Sequence, residues 1–296
     1  MKSKGKISLV LGSGGARGYA HIGVIEALTQ AGYEIASICG ASMGALIGGL
    51  YACGKLDRYK EWVLSLDAFD VAALLDLSFS KGGIIEGEKV FDKLAGMIGP
   101  TDIESLPIRF TAVATDIVRK KEVWFQRGDL LEAIRASIAI PSIFTPVEKD
   151  GMVLVDGGAL NPLPVAPTQS DLTDLTIAVN LYADRPKPII GIEQEEVDRK
   201  NSIETMVKEL FLRAKEEKKF TMFDILDKTF DTMQDALTRY RIGGYPPDVM
   251  IDISMHVCDT FDFHKAKEVI ASGRLAADEA IARMESGLKN KKADIS

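Results

Sequence analysis

Two glycine-rich junctions near the amino terminus constrain the fold more than any other feature. An apolar strand over residues 7–11 leads into the loop 12–18, and the helix that follows has apolar residues at helical spacing. A second apolar strand, 35–39, leads into the segment 40–44 and a second helix. This order of strand, helix, strand and helix predicts a parallel sheet covered by helices.

The rest of the chain continues this pattern. Further strands are predicted at 108–114, 122–126, 152–155, 175–181 and 249–253, and helices at 130–137 and 263–288. Residues 184–247 are charged and mostly helical in pattern, so we predict a helical insertion or lid-like segment there. The expected architecture is α/β, with one domain over residues 1–296. It has a central, mostly parallel sheet, helices on both faces and the insertion.

Composition and charge narrow the class of protein. The formal charge of −7 argues against nucleic acid as a partner, because phosphate binding needs clustered lysine and arginine. The uncharged run 35–54 is long enough to suggest a membrane span, but the glycines within it favour a buried strand, a turn and a buried helix. Three cysteines without a C-x-x-C pair, and no apolar signal stretch, predict a cytoplasmic protein.

The segment Gly40-Ala41-Ser42-Met43-Gly44 fits the pattern G-x-S-x-G between a strand and a helix. A nucleophilic serine must sit on a sharp turn with its hydroxyl exposed, and side chains two residues away on either side would clash. The N–H of Met43 and the helix dipole point to the same place and can stabilise an oxyanion. Ser42 is therefore the candidate nucleophile.

The loop 12–18 offers a run of backbone N–H groups, which can bind a phosphate or a transient oxyanion. A dinucleotide fingerprint needs glycine where this chain has Arg17. A phosphate-binding loop needs lysine after Gly18, where this chain has Tyr19. Nucleotide binding is therefore the minor alternative.

A candidate general base follows a later strand. Asp156-Gly157-Gly158 comes directly after the strand 152–155, at the sheet edge where α/β sites form. A turn aspartate that caps its own loop is the structural alternative. A Ser…Asp…His triad would recruit His256 or His264, but Ser42 lies early in the chain for that layout. No two histidines have metal-ligand spacing, so we expect no metal site.

Together these motifs resemble the patatin-like phospholipase family, in its bacterial branch. Gly14-Gly15-Ala16-Arg17-Gly18 is similar to the family's oxyanion loop, Gly40-Ala41-Ser42-Met43-Gly44 to its nucleophile elbow, and Asp156-Gly157-Gly158 to its aspartate motif. Residues 9–21 also resemble the esterase domain of neuropathy target esterase relatives. The likeness covers roughly residues 7–164 and implies a patatin-like fold.

The resemblance implies Ser42 as nucleophile and Asp156 as its general base. Arg17 then supports the loop, forms a structural salt bridge or meets a substrate phosphate. Many family members have a third glycine where this chain has Ser13, a departure that bears on the loop geometry. The amides expected at the oxyanion are those of Gly14, Gly15, Ala16 and Met43, and the glycines that support the three motifs are Gly18, Gly40, Gly44, Gly157 and Gly158.

The expected function is hydrolysis of a carboxylic ester in a lipid through an acyl-enzyme, without a cofactor. Lipid acyl transfer and a catalytically weak membrane- or partner-binding module are the alternatives. A lipid substrate predicts transient contact with a membrane surface, at its inner face for a cytoplasmic protein, and a homo-oligomer is left open. Residues 220–237 have apolar side chains at helical spacing, which predicts either a packed helix or a lid or membrane-contact surface.

Overall fold

The structure is a computed structural model that describes residues 4–74, 88–141, 144–189 and 222–293. Within these residues eight strands form one sheet. The strands are β1 (Gly5–Leu11), β2 (Tyr33–Ala41), β3 (Arg109–Asp116), β4 (Lys121–Phe125), β5 (Val147–Lys149), β6 (Met152–Asp156), β7 (Leu175–Ala183) and β8 (Val249–Ser254). The helices are α1 (Ala20–Gln30), α2 (Met43–Ala52), α3 (Leu56–Leu64), α4 (Ala68–Leu74), α5 (Glu88–Ile98), α6 (Leu130–Ser137), α7 (Met222–Gly244) and α8 (Ala266–Ala293).

The sheet has the order β5-β6-β3-β2-β1-β7-β8, and β4 pairs with β3 off this path. The neighbours from β3 to β8 are parallel, whereas β4, β5 and β6 pair antiparallel. The predicted α/β architecture with a mostly parallel sheet is confirmed. The uncharged run 35–54 falls on β2 and α2. Among the described residues, a helix with the length and apolar composition needed for a bilayer crossing is not found.

Alternate residues of β1 belong to two different apolar layers, as strand geometry requires. Leu9 and Leu11 pack in the large core, which also takes apolar side chains from α1, α2 and α8. Val10 packs in a smaller cluster with Leu163 and Val165, against which Ile242 of α7 rests. Helices therefore cover both faces of the sheet, and α7 reaches the smaller layer.

The register on β3 determines where the site forms. β2 pairs with residues 109–113 of β3, and β6 pairs with residues 114–116. Both stretches overlap the ladder of β4 on 112–116, so β2 and β6 must share the other edge of β3. Ala41 at the end of β2 lies opposite Val113, and Asp156 at the end of β6 lies opposite Ala114. The two strands thus meet end to end at neighbouring positions.

The predicted insertion is described only in part. Residues 190–221 lie outside the described residues, so the lid predicted for them stays a prediction. The helix predicted at 220–237 is described from Met222 onward as α7, which continues to Gly244.

Candidate active site

Ser42 lies in the sharp turn between β2 and α2. Its backbone has φ 54° and ψ −129°, a conformation that a residue with a side chain rarely adopts. Gly40 and Gly44 make the turn possible, because a Cβ on Gly40 would lie 2.4 Å from the Gly44 carbonyl oxygen. A Cβ on Gly44 would lie 2.0 Å from the carbonyl oxygen of Leu11. The elbow is therefore held by backbone packed on backbone, as the G-x-S-x-G pattern predicts.

Ser137 braces this elbow from the end of α6, and sequence reasoning missed it. Its hydroxyl donates to the carbonyl oxygen of Val113 at 2.6 Å and accepts from the Ser42 N–H at 3.0 Å. Ser137 is fully buried. It ties the strained turn to β3 across 95 residues of sequence, a separation that no local motif reveals.

Asp156 ends β6 as a buried carboxylate. Its Oδ1 accepts from the Gly158 N–H at 2.7 Å, and its own N–H donates to the carbonyl oxygen of Ala139 at 2.9 Å. Gly157 lets the chain turn tightly against β3, because a Cβ there would lie 2.0 Å from the Val113 carbonyl oxygen. Oδ1 of Asp156 thus caps its own loop, as the structural alternative predicts. That alternative does not account for Oδ2.

Burial raises the pKa of Asp156 to about 7, while the Ser42 hydroxyl and the Gly158 N–H act in the opposite direction. Oδ2 is buried and makes no hydrogen bond among the described residues. Ser42 is close enough to lower the pKa of Asp156, so the two side chains are neighbours. The carboxyl of Asp156 therefore changes its protonation state near neutral pH.

The glycine-rich loop supplies free amides beside this pair. The N–H groups of Gly14 and Gly15 have no acceptor among the described residues, and neither has the N–H of Met43. Gly18 allows the loop to pack on the elbow, since a Cβ there would lie 2.3 Å from Cβ of Met43. These three amides are therefore free to donate to an oxyanion, and that role stays a prediction.

Ala16 differs from the other expected oxyanion donors, because its N–H is already engaged. The Ala16 N–H donates to the carbonyl oxygen of Thr260 at 2.8 Å. Because one N–H cannot serve this carbonyl and an oxyanion equally, Ala16 belongs to the support of the loop. Thr260 lies 244 positions further along the chain, so the motif alone could not show this contact.

Arg17 is buried and is held by α7 and by the oxyanion loop itself. Its Nη2 donates to Asp231 of α7 at 2.8 and 2.9 Å, and its Nε donates to the Gly14 carbonyl oxygen at 3.2 Å. Of the three roles considered for Arg17, loop support and a salt bridge therefore agree with the structure.

The three histidines stand apart from this pair. Nε2 of His21 bonds the Gly12 carbonyl oxygen at 2.8 Å, and burial lowers the pKa of His21 to about 4. His256 contacts Asp184 at 3.1 Å, and both side chains are exposed. Among the described residues no histidine hydrogen-bonds Ser42 or Asp156, so the triad alternative has no geometric support.

An apolar cavity opens beside Ser42. It has a volume of about 80 Å³ and is lined mainly by hydrocarbon and aromatic side chains from α2, α3, α4 and α5 and from the segment after α6. Met43, Leu46, Ile138 and Phe263 are among them. A narrow apolar space next to a nucleophile suits a hydrocarbon chain and excludes a charged group, which would lose its hydration there.

Comparison with known proteins gives the class. Residues 9–168 match the family model described as patatin-like phospholipase. The match spans more than half of the chain, and the chain belongs to this family. Its patatin-like fold follows from that membership and from the sheet described above.

Relatives extend this placement. An uncharacterized NTE family protein of Mycobacterium tuberculosis is 38% identical, over 96% of this chain and 93% of its own length. The lysophospholipase nte1 of Emericella nidulans is 31% identical over 59% of this chain and 12% of its own length. The mouse patatin-like phospholipase domain-containing protein 6 is 33% identical over 59% and 13%. VipD of Legionella pneumophila aligns in structure with a TM-score of 0.44 and 16% identity, over 93% of this chain and 67% of VipD.

Proposed function

We propose that the chain is a serine hydrolase of lipid carboxylic esters that works through Ser42 and Asp156 and an acyl-enzyme. The family supports a lipid hydrolase, and the dyad and the intermediate are the finer proposal. The observation that carries it is the unpartnered Oδ2 of Asp156, buried beside Ser42 at the wall of an apolar cavity.

The proposed reaction needs only Ser42, Asp156 and the oxyanion amides. Asp156 accepts the hydroxyl proton as Ser42 Oγ bonds the ester carbonyl carbon, and the carbonyl oxygen becomes an oxyanion held by the N–H groups of Gly14, Gly15 and Met43. Collapse breaks the bond to the leaving alcohol, which takes the proton from Asp156. Water then attacks the acyl-enzyme with Asp156 again as base, and free fatty acid leaves as Ser42 regains its proton.

We further propose transient contact with a lipid surface through α7. Leu226, Met233 and Tyr240 recur every seven residues on its outer side and are 48%, 53% and 78% exposed. Apolar side chains on one side of a helix favour an interface over bulk water. Exposed charges on this helix are of both signs, such as Asp235 and Arg239, so attraction to anionic lipid contributes little.

The direct test is covalent trapping with a fluorophosphonate, followed by a panel of phospholipid, lysophospholipid and acylglycerol substrates. We expect stoichiometric labelling of Ser42 and release of fatty acid from at least one lipid class. A folded protein that is neither labelled nor active on any ester would overturn the proposal. Ser42→Ala is the matched control for labelling.

A further inference from the structure

Helix α7 turns its polar side inward. Asp231, Gln234, Thr238 and Arg241 follow one another at spacings of three and four, and Gln234 and Thr238 are buried. The apolar residues described above lie on the outer side. A surface helix normally does the reverse, because burial of apolar area is what docks it. The inward polar groups of α7 therefore have specific partners. Two of these partners, Ser13 and Arg17, belong to the glycine-rich loop of the active site.

Gln234 lies between the two catalytic loops. It is 2% exposed. Its Oε1 accepts from the Ser13 hydroxyl at 3.0 Å and from the Tyr182 hydroxyl. Its Nε2 packs on Gly158, where a Cβ would lie 2.4 Å away. Gly158 is the residue whose N–H holds Asp156, so one side chain touches both the oxyanion loop and the aspartate loop.

Asp231 acts on the oxyanion loop through Arg17. The guanidinium is held by both oxygens of Asp231 and lies 4.7 Å from the ring centroid of Tyr182. From there its Nε donates to the Gly14 carbonyl oxygen. The Gly14–Gly15 peptide is planar and trans, so fixing its C=O toward Arg17 directs the Gly15 N–H to the opposite side. That N–H is one of the free oxyanion amides.

These contacts also explain the departure at Ser13. Its side chain is turned to Gln234, and it bonds this helix instead of narrowing the anion-binding face of the loop. A glycine at this position would lack the hydroxyl that Gln234 accepts from.

We propose that Gln234 and Asp231 are positioning residues of the hydrolase. Through them α7 sets the orientation of the Gly14–Gly15 peptide and the distance between the oxyanion loop and the Asp156 loop. This inference rests on the proposed function for its effect on catalysis, though not for its effect on the loops.

The test compares Gln234→Leu, which keeps the size of the side chain and removes its hydrogen bonds, with Arg239→Ala as control. Arg239 forms an exposed pair with Asp235 on the same helix and touches neither loop. We expect kcat of Gln234→Leu on a soluble ester to fall on the order of tenfold with KM nearly unchanged, since a misdirected oxyanion donor acts in the transition state. The control keeps the wild-type kcat.

A double-mutant cycle with Ser13→Ala identifies the contact. The losses of Ser13→Ala and Gln234→Leu are expected to combine to less than their product, because both remove the same bond. Asp231→Glu, which keeps a carboxylate for Arg17, should retain more activity than Asp231→Asn. If Asp231→Asn does not fold, because the buried Arg17 loses its partner, Gln234→Leu decides.

Hydrogen exchange of a peptide covering residues 12–18 separates this inference from the proposed function. We expect faster exchange in Gln234→Leu than in Arg239→Ala. An inactive wild type with this difference would reject the proposed function and leave the positioning role standing. An active wild type in which Gln234→Leu keeps its kcat and its exchange rates, or in which the cycle is strictly multiplicative, would overturn the inference alone.

Discussion

The nucleophile elbow and helix α7 both position the active site, but they do so by different means. The turn of the elbow, Gly40 to Gly44, depends mainly on close backbone packing, and the Ser137 hydroxyl is its side-chain brace. Helix α7 works through side chains that meet the catalytic loops across large separations, 221 residues in the case of Ser13 and Gln234. The turn of the elbow is therefore encoded in one short motif. The contacts of α7 with the catalytic loops form only after the whole sheet has folded.

The largest expected effect lies at the elbow. Ser42→Ala should lower kcat/KM for ester hydrolysis on the order of 10³-fold or more, because the nucleophile is lost. The measurement is steady-state hydrolysis of a chromogenic ester, with circular dichroism to verify the fold. Near-wild-type activity in a folded Ser42→Ala protein would show that Ser42 is not the nucleophile and that the elbow does not carry the chemistry.

Asp156→Asn should lower activity by a similar factor while stabilising the fold. The buried carboxyl has a pKa of about 7 in the folded protein against 3.8 as the reference. Stability therefore falls as pH rises from about 4 to 7, and the full loss persists above 7. Asparagine removes it, for an expected gain of about 2–4 kcal/mol at pH 8. Urea unfolding at pH 8 and pH 4 checks this, and a gain of equal size at both would contradict the linkage.

The pH profile sharpens the same point. Because Asp156 must be ionised to accept a proton, kcat/KM should fall about tenfold per pH unit below about 7 and level off above it. The matched control is Arg239→Ala, whose profile should coincide with that of the wild type. A limb centred near pH 4 would mean that Asp156 is not the base or is solvated in the working enzyme.

The outer side of α7 provides a smaller effect. Leu226→Asp with Met233→Asp should reduce activity on phospholipid vesicles by about tenfold and leave hydrolysis of a soluble short-chain ester unchanged, since only the former needs a lipid surface. Thr232→Asp, also exposed on α7, controls for added charge. Equal losses on both substrates with a lowered melting temperature would show that this side packs against protein.

The smallest effect is expected at the histidines. His256→Ala and His264→Ala should each retain activity within about tenfold of the wild type, corrected for stability, because neither contacts the dyad. A loss of several orders of magnitude with normal melting would replace the dyad with a triad.

How much of the structure the sequence could predict depends on how far apart the contacting residues lie along the chain. The described strands other than β5, the elbow and Asp156 at the end of β6 were predictable, because strand periodicity, glycine spacing and turn chemistry act over a few residues. The apolar spacing of α7 was predictable too, but not that its polar side faces the sheet, since the partners Arg17, Ser13 and Tyr182 come from distant segments. The contact of the Ala16 N–H could not be predicted for the same reason: its acceptor, Thr260, lies in the loop before α8.

Because β2 and β6 meet end to end on β3, recovery of activity can also report when these two parts of the sheet have come together during folding. Ser42 arrives with the parallel part of the sheet, and Asp156 arrives with the β5–β6 hairpin, whose turn contains Asp150 at φ 50°. Under the proposed mechanism neither residue hydrolyses an ester alone, so regained activity marks the later of the two arrivals. A refolding experiment that records far-ultraviolet circular dichroism and ester hydrolysis together would therefore measure the delay between formation of the strands and the meeting of Ser42 with Asp156.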